Sequence, residues 1–512
     1  MEQTTSINLP TKPVFLQNKM VPLLIIVSSL FLSLLLYFAL KPKSQKHKLP
    51  PSPTKLPIIG NLHQLGSFPH RSLRALSMKY GSVMFLYIGS SPILVVSSEE
   101  AAQDIMKTHD LVFSDRPSSI ISDELFYRGK DVAFAPYGEY WRQVRKISVL
   151  HLLSTKRVES FRAVREKEVA RMLEKISQAS GPINLSKLII STTNNTMSRI
   201  ALGKYYEGKL SGGIDFHQLL AEFLILLGTI HIGDIFPSLA WIGRLTGLDA
   251  RLKKNFQQWD DFLEQVIQDH NEKRNNTSEH GPQDLVDILL EVQRDGSIGI
   301  PLHKDHIKAV ILDNFAAGTD TTYTTIVWAL AELIRHPTAM KKAQEEIRRI
   351  IHGNSIVSED DIGKMSYLKC VIKEALRLHP PLPLLVQRKS RQDIEVKGFH
   401  IPAKTQVMVN AWAIARDPKS WTDPESFLPE RFINSEVDFR GQYMKLIPFG
   451  AGRRGCPGIP FAIATVELVL ANLLHGFDWE LPGEALDMSE VFGITVHKKS
   501  PLVLVPRPHY TK

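Results

Sequence analysis

Twenty consecutive uncharged residues, VPLLIIVSSLFLSLLLYFAL at positions 21–40, constrain this 512-residue chain more than any other feature. A helix over such a run is about 30 Å long, the thickness of a bilayer's hydrocarbon core. Its flanks are unequal. Glu2, Lys12 and Lys19 precede it, whereas Lys41, Lys43, Lys46, Lys48 and Lys55 follow. That excess predicts a short N-terminal segment, 1–20, on the far side of the membrane and a large cytosolic body behind the span. A cleaved signal peptide would have a shorter apolar core and a small-residue cleavage site; here lysines follow instead. The run therefore reads as a retained anchor. The glycosylation sequons at Asn194, Asn275 and Asn276 then face the cytosol and stay unmodified.

Residues 41–64 read as a basic, then proline-rich linker. Pro50, Pro51 and Pro53 cannot continue a helix and favour extended backbone, so LPPSPTKLPIIGN reads as a stiff spacer. The body proper is expected over 65–512. Its β-like runs, 83–89, 92–98, 399–414 and 501–508, lie towards its two ends, and long amphipathic helical patterns fill much of the rest. This predicts a mainly α fold with small β-sheets rather than alternating βαβ units. Residues 271–284 are the most loop-like stretch. The net charge of +9 comes with no basic run interleaved with aromatics and no zinc-finger or dinucleotide-loop spacing, so nucleic acid is not an expected partner. Two cysteines make no disulfide framework, which fits a reducing compartment. Cys370 reads as a buried apolar residue.

The other thiol, Cys456, lies in PFGAGRRGCPG at 448–458. A thiolate ligates iron or zinc well. Zinc needs several clustered thiols or histidines, and an iron–sulfur cluster typically needs four cysteines. One thiolate is enough for the axial position of a haem. Glycines allow a loop to approach a flat macrocycle, and arginine forks match its carboxylates. The apolar run 459–477 reads as a helix, and Cys456 just before its N-terminus is predicted to have a lowered thiol pKa. Taken alone, the stretch leaves a structural loop cysteine open.

Phe449, Gly452, Arg454, Cys456 and Gly458 match the F-x-x-G-x-R-x-C-x-G loop of cytochromes P450, and from Pro50 onward the chain resembles the plant microsomal group of these haem-thiolate monooxygenases. The resemblance implies haem b, O2 and electrons from NADPH through NADPH–cytochrome P450 reductase. It makes Cys456 the proximal iron ligand, packs Phe449 near the sulfur with Gly450 beside it, and sets Arg454 on a propionate. Trp141 and Arg145, on one helix face in YWRQVRKI, are implied to donate to a propionate, and Arg388 aligns with a further propionate partner. Glu374 and Arg377, three apart on a helix, with Arg431 of PERF, match the family's buried structural network.

A helix is predicted over 304–335, about 45 Å and long enough to cross the body. Within it the Thr321 hydroxyl can bond the Ala317 carbonyl four residues back and open a polar notch in an apolar wall. By resemblance, Ala317, Gly318, Asp320 and Thr321 form the family's oxygen-binding motif. Thr321 and Asp320 order water and deliver protons, while Ala317 and Gly318 leave room for oxygen. Arg142, Lys146 and Arg453 are the implied contacts for the reductase. Enzymes of the family that rearrange hydroperoxides usually lack the helix threonine and carry an insertion before the cysteine; neither change is present.

By region, the substrate pocket is expected from Ser118 and Phe126, from Val310, Phe315 and Ala316, from 384–386 including Leu385 and Val386, and from 492–494 including Ile494. Residues 219–243 would roof it and rest on the membrane surface. The wall is nearly all apolar, which implies a lipophilic substrate held by shape. The expectation is an endoplasmic-reticulum, single-pass monooxygenase with a cytosolic catalytic domain. It would oxidise a plant specialised metabolite, with a terpenoid or alkaloid favoured over a phenylpropanoid or coumarin. The alternative is a haem-thiolate dehydratase or rearrangement enzyme, for example on an oxime. A non-catalytic haem binder would have no use for the Asp320–Thr321 pair.

Overall fold

The two apolar runs after residue 80 form an antiparallel hairpin, β1 (Val83–Ile88) and β2 (Ser91–Val96), with Val83 opposite Val96 and Ile88 opposite Ser91. β3 (Arg388–Lys389) and β4 (Gln406–Val409) complete the sheet in the order β1-β2-β4-β3. β4 runs parallel to β2, so segments some three hundred residues apart close on each other. The description comes from a computed structural model. It covers residues 48–509 except 90, 207–214, 277–282, 297–298, 353–354 and 484, together with Ile25, Ser28, Ser29 and Leu32, which are helical. The rest of the expected anchor 21–40, the segment 1–20, residues 41–47 and the side chains of Asn275 and Asn276 lie outside the described residues.

Two expectations change here. Residues 49–64 are not a free-standing spacer, because the body begins at Leu49. Pro51 cannot donate a backbone hydrogen bond, but its carbonyl accepts from Phe85 N at 2.8 Å. Buried Asn61 accepts from Tyr87 N and donates to the carbonyls of Pro53 and Thr54, which straps the segment onto β1. The run 399–414 is also not one strand. It divides into Phe399–Ile401, β4 and a short helix, Ala411–Ile414, because the Asn410 side chain accepts from Ala413 N and caps a helix start.

Helices make up most of the body: α1 (Glu139–Ile147), α2 (Leu185–Leu202), α3 (Phe216–Leu227), α4 (Lys304–Arg335), α5 (Ser366–Leu378) and α6 (Ile459–Gly476) position the site. From Thr322 to Leu333 α4 is buried almost all round, the pattern of a helix that runs through an interior. α6 is long and apolar enough to cross a membrane, yet its Val466–Leu474 stretch packs into one core with α4 and α5. A second core lies between α2, α3 and the first half of α4. Asn194 is buried in α2 and hydrogen-bonded to His217, so a glycan has no access to it.

Glu374 and Arg377 on α5 are both fully buried. Arg377 grips both carboxylate oxygens at 2.7 and 2.8 Å and donates to the carbonyls of Ala415, Pro424 and Ser426. Arg431 Nε reaches Glu374 at 2.9 Å, and Leu428 N adds a backbone donor at 2.8 Å. Burying charges is tolerable only when their hydrogen bonds are complete, and here they are. Glu374→Ala would leave two guanidiniums without their carboxylate and should destabilise the fold by about 3–5 kcal/mol, read as a large fall in the thermal midpoint. An unchanged midpoint would show that the network does not hold the segments 415–431 in place.

Candidate active site

Between α4, α1, the segment 381–388 and the loop 448–458 lies a cavity of about 240 Å³. A single water needs only about 10–15 Å³ on that scale, so a group far larger than water fits. The loop reaches the cavity through glycines. Gly452 has φ +68°, and a Cβ there would sit 2.2 Å from the Met106 carbonyl oxygen. Gly450, at φ +67°, lines the cavity beside Phe449, whose ring packs on Phe439. Cys456 N donates to Phe449 O at 2.9 Å, and Gly458 N donates to Cys456 Sγ at 3.3 Å. The accessible surface of Cys456 opens into this cavity.

The surroundings of the thiol without haem act against the lowered pKa that the sequence predicts. Burial pushes it up, and the Gly458 N–H and the Arg145 charge only partly offset this. The helix start pulls in the expected direction but is outweighed by desolvation.

Four guanidiniums line the cavity: Arg116, Arg145, Arg388 and Arg454. Arg454 donates to the carbonyls of Ser114, Val132 and Ala135 and lies over the Trp141 ring at 4.1 Å. Arg388 bonds Asp110 at 3.0 Å and the Ala451 carbonyl at 2.6 Å. Arg145 donates to Gly455 O at 2.6 Å. Trp141 is less available than expected, because its Nε1–H donates to Val132 O at 3.0 Å. Arg116, which the sequence reading passed over, donates to Ala133, Val386 and Gln387 carbonyls. Burial, then repulsion from Arg388, holds Arg454 down to about 10. Burial, then repulsion from Arg454, lowers Arg116 as well. Burial pushes the nearby carboxyls of Asp131 and Asp313 up. The site therefore carries unmatched positive charge and favours an anion.

On α4, the lining residues Asp313, Asn314, Ala317, Gly318, Thr321 and Thr325 recur at helical spacing. Thr321 Oγ1 donates to Ala317 O at 2.7 Å and Thr325 Oγ1 to Thr321 O at 2.9 Å. Gly318 is small for a second reason: a Cβ there would lie 3.1 Å from Met197 Sδ of α2. Asp320 is buried and does not line the cavity. It accepts from Thr495 Oγ1 at 2.6 Å, and burial raises its pKa.

Of the expected substrate wall, Leu385 and Val386 line the cavity. Ser118, Phe126, Val310, Phe315, Ala316 and Ile494 do not line it. Ser118 bonds Asp123, Phe126 packs on Phe134 and Phe223, and Val310 and Ala316 lie in the core between α2, α3 and α4. Phe315 packs on Phe216 and Trp259, because two residues before Ala317 is the opposite side of a helix. Counting back from Thr321 by seven and eight would have added Asn314 and Asp313 to Ala317. Arg142 and Lys146 are exposed on α1, and Arg453 is exposed beside Asp110.

This donor set fits a haem. One thiol faces a largely apolar cavity, small residues line the helix wall, and desolvated guanidiniums gather where a dicarboxylate would be held. Residues 50–505 match the family model "Cytochrome P450". The chain is 54% identical to "Cytochrome P450 71A1" of Persea americana, covering 95% of this chain and 99% of that protein. It is 51% identical to "Phenylacetaldehyde oxime monooxygenase CYP71AN24" of Prunus mume (94% and 95% covered) and 50% identical to "Norfluorocurarine oxidase" of Strychnos (95% and 96%). A zebra fish cytochrome P450 structure with abiraterone superposes with a TM-score of 0.73 at 26% identity, over 87% of this chain and 100% of the other. The chain belongs to the cytochrome P450 family, as a plant A-type monooxygenase that uses haem, O2 and electrons from a reductase.

Proposed function

We propose that this enzyme oxidises a lipophilic plant specialised metabolite, a terpenoid or alkaloid scaffold, in the cavity between Cys456 and the α4 notch. The observation that carries the reading is that Cys456 and Thr321 share one cavity whose other walls are mostly apolar, among them Leu385, Val386, Phe449 and Phe461. Such a wall selects by shape and excludes water. The relative that oxidises norfluorocurarine favours the alkaloid class.

Bound haem supplies the iron that activates O2. The chain's residues do the rest. Cys456 Sγ would hold the haem iron, with the Gly458 N–H and the Arg145 charge favouring its thiolate. Arg116, Arg145, Arg388 and Arg454 would hold the propionates, with Trp141 stacked under Arg454. Thr321 Oγ1 holds a water and a proton at the notch, and Asp320, one residue earlier, replenishes it. Electrons come from NADPH–cytochrome P450 reductase docked on Arg142, Lys146 and Arg453. The enzyme is a single-pass protein of the endoplasmic reticulum with its catalytic domain in the cytosol. Exposed Ile225, Ile230 and Trp241 of the roof, with Leu245 just beyond it, meet the bilayer.

A second reading is dehydration or rearrangement of an oxime without net oxygen insertion; the oxime monooxygenase among the relatives supports the oxime as a substrate class, not the absence of oxygen insertion. The two separate on cofactor demand. Product formation by the monooxygenase stops without NADPH, reductase or O2, and product formed in their absence selects the second reading.

Two substitutions test the site. The reduced protein with carbon monoxide should show the Soret band of a thiolate-ligated haem, and Cys456→Ser should abolish it; a retained band removes Cys456 as ligand. Thr321→Ala should leave haem binding intact while product per NADPH falls about tenfold or more, the electrons appearing as hydrogen peroxide. Unchanged coupling removes Thr321 from proton handling.

A further inference from the structure

The Asp320 carboxyl is turned away from the cavity and into the C-terminal hairpin of β5 (Glu490–Phe492) and β6 (Val496–Lys498). Thr495, in the turn between them, donates its hydroxyl proton to Asp320 Oδ2 at 2.6 Å. Thr495 Oγ1 itself lies 2.6 Å from His497 Nε2, and that nitrogen is 3.4 Å from Asp320 Oδ1. The other ring nitrogen, Nδ1, is 3.0 Å from Thr324 Oγ1, whose own proton goes to the Asp320 carbonyl at 2.8 Å. Both hydroxyl protons are thus committed to Asp320, and only lone pairs face the imidazole. When the ring carries a second proton, both nitrogens donate to these lone pairs and an imidazolium stands beside the Asp320 carboxyl. The His497 side chain is 28% exposed, whereas that of Asp320 is 6% exposed, so the pair joins the interior of α4 to solvent.

We propose that His497 and Thr495 are positioning residues for Asp320: they hold its carboxyl charged and aimed, and His497 exchanges its proton with water. In the transfer the His497 Nε2–H proton passes to Thr495 Oγ1 as the Thr495 proton passes to Asp320 Oδ2. The imidazole then takes a proton from solvent, and no electrons move. The inference rests on the role proposed above for Asp320.

The hairpin is well anchored for this task. Trp328 Nε1 of α4 donates to Val496 O at 3.0 Å, and Val496 N donates to Pro381 O at 2.9 Å. The tip also meets the roof, since a Cβ on Gly228 would lie 2.6 Å from Ile494 N. No competing charge is aimed at Asp320 among the described residues. Lys498 Nζ is bound to the Ser500 carbonyl, Glu490 to Arg71, Glu332 to His379, and Arg199 of α2 to Glu168. Tyr323, on the same helix, has its phenol pushed up first by burial and also by Asp320. Burial raises Asp320, and the His497 charge followed by the Thr495 hydrogen bond pulls it back.

The test uses the haem-loaded protein with reductase, the variants His497→Gln, Thr495→Val, Thr495→Ser and Asp320→Asn, and two readouts. The first is the melting temperature against pH. An acid raised by burial contributes most when protonated and loses that contribution as pH rises through its folded value. Without the imidazolium the loss is greater, so the gap between wild type and His497→Gln should widen as pH rises through the Asp320 range. The second is hydrogen peroxide released per NADPH with 7-ethoxycoumarin as probe. His497→Gln and Thr495→Val should raise it about as much as Asp320→Asn, and Thr495→Ser, which keeps the hydroxyl, should restore the wild-type value. A pH-independent melting gap, or equal peroxide from Thr495→Ser and Thr495→Val, overturns the proposal. Asp320→Asn without effect overturns the role of Asp320 itself.

Discussion

Four guanidinium groups withdrawn from water around one cavity govern much of this structure. Arg116, Arg145, Arg388 and Arg454 give their protons mainly to backbone carbonyls, at Ser114, Val132, Ala133, Ala135, Val386, Gln387, Ala451 and Gly455. Each such bond to a charged donor contributes about 1.5–3 kcal/mol. The desolvation it offsets is several kcal/mol per ion. Carbonyls alone do not neutralise the cluster, and burial weakens the nearby carboxylates Asp131 and Asp313 as counter-ions. The same groups therefore pin three irregular segments to one another and leave a demand for an anion, the place proposed above for the haem propionates.

α4 carries the complementary constraint. Its buried half is fixed by packing, and the stretch 313–325 has to serve three neighbours at once. One face opens to the cavity at Ala317, Thr321 and Thr325. Gly318 also admits Met197 of α2, and Asp320 and Thr324 meet the C-terminal hairpin. Threonines suit this stretch because each hydroxyl can satisfy itself on the carbonyl four residues back until another partner is available. Roof, hairpin and acid are consequently in mechanical contact: Gly228 touches the tip, and the tip holds Asp320.

Much of this was legible in the chain. The helix expected over 304–335 forms over Lys304–Arg335 despite the polar, threonine-rich stretch at its middle. Glu374, Arg377 and Arg431 are brought together as a spaced motif plus a distant arginine. The errors have a common origin. Phe315 and Ala316 are expected in the pocket by region, whereas a helix sorts residues by angle, and theirs points into the core against α2 and α3. Residues 49–64 looked like a spacer because prolines make poor helices, but their carbonyls and Asn61 find donors on β1. Arg116 carries no motif of its own.

By itself the sequence determined the class of chemistry. A lone thiol in a glycine–arginine loop, a threonine notch in a long apolar helix and a spaced ion pair are covalent facts with a small set of uses. Tertiary structure decided which way each group faces and what surrounds it. It set the Cys456 thiol high where a helix terminus alone would set it low, because burial outweighs a partial dipole at close range. It turned Asp320 from the cavity towards Thr495 and His497, some 175 residues away in the chain. No local pattern encodes that meeting; only the packing of the hairpin against α4 brings the three groups within hydrogen-bonding distance.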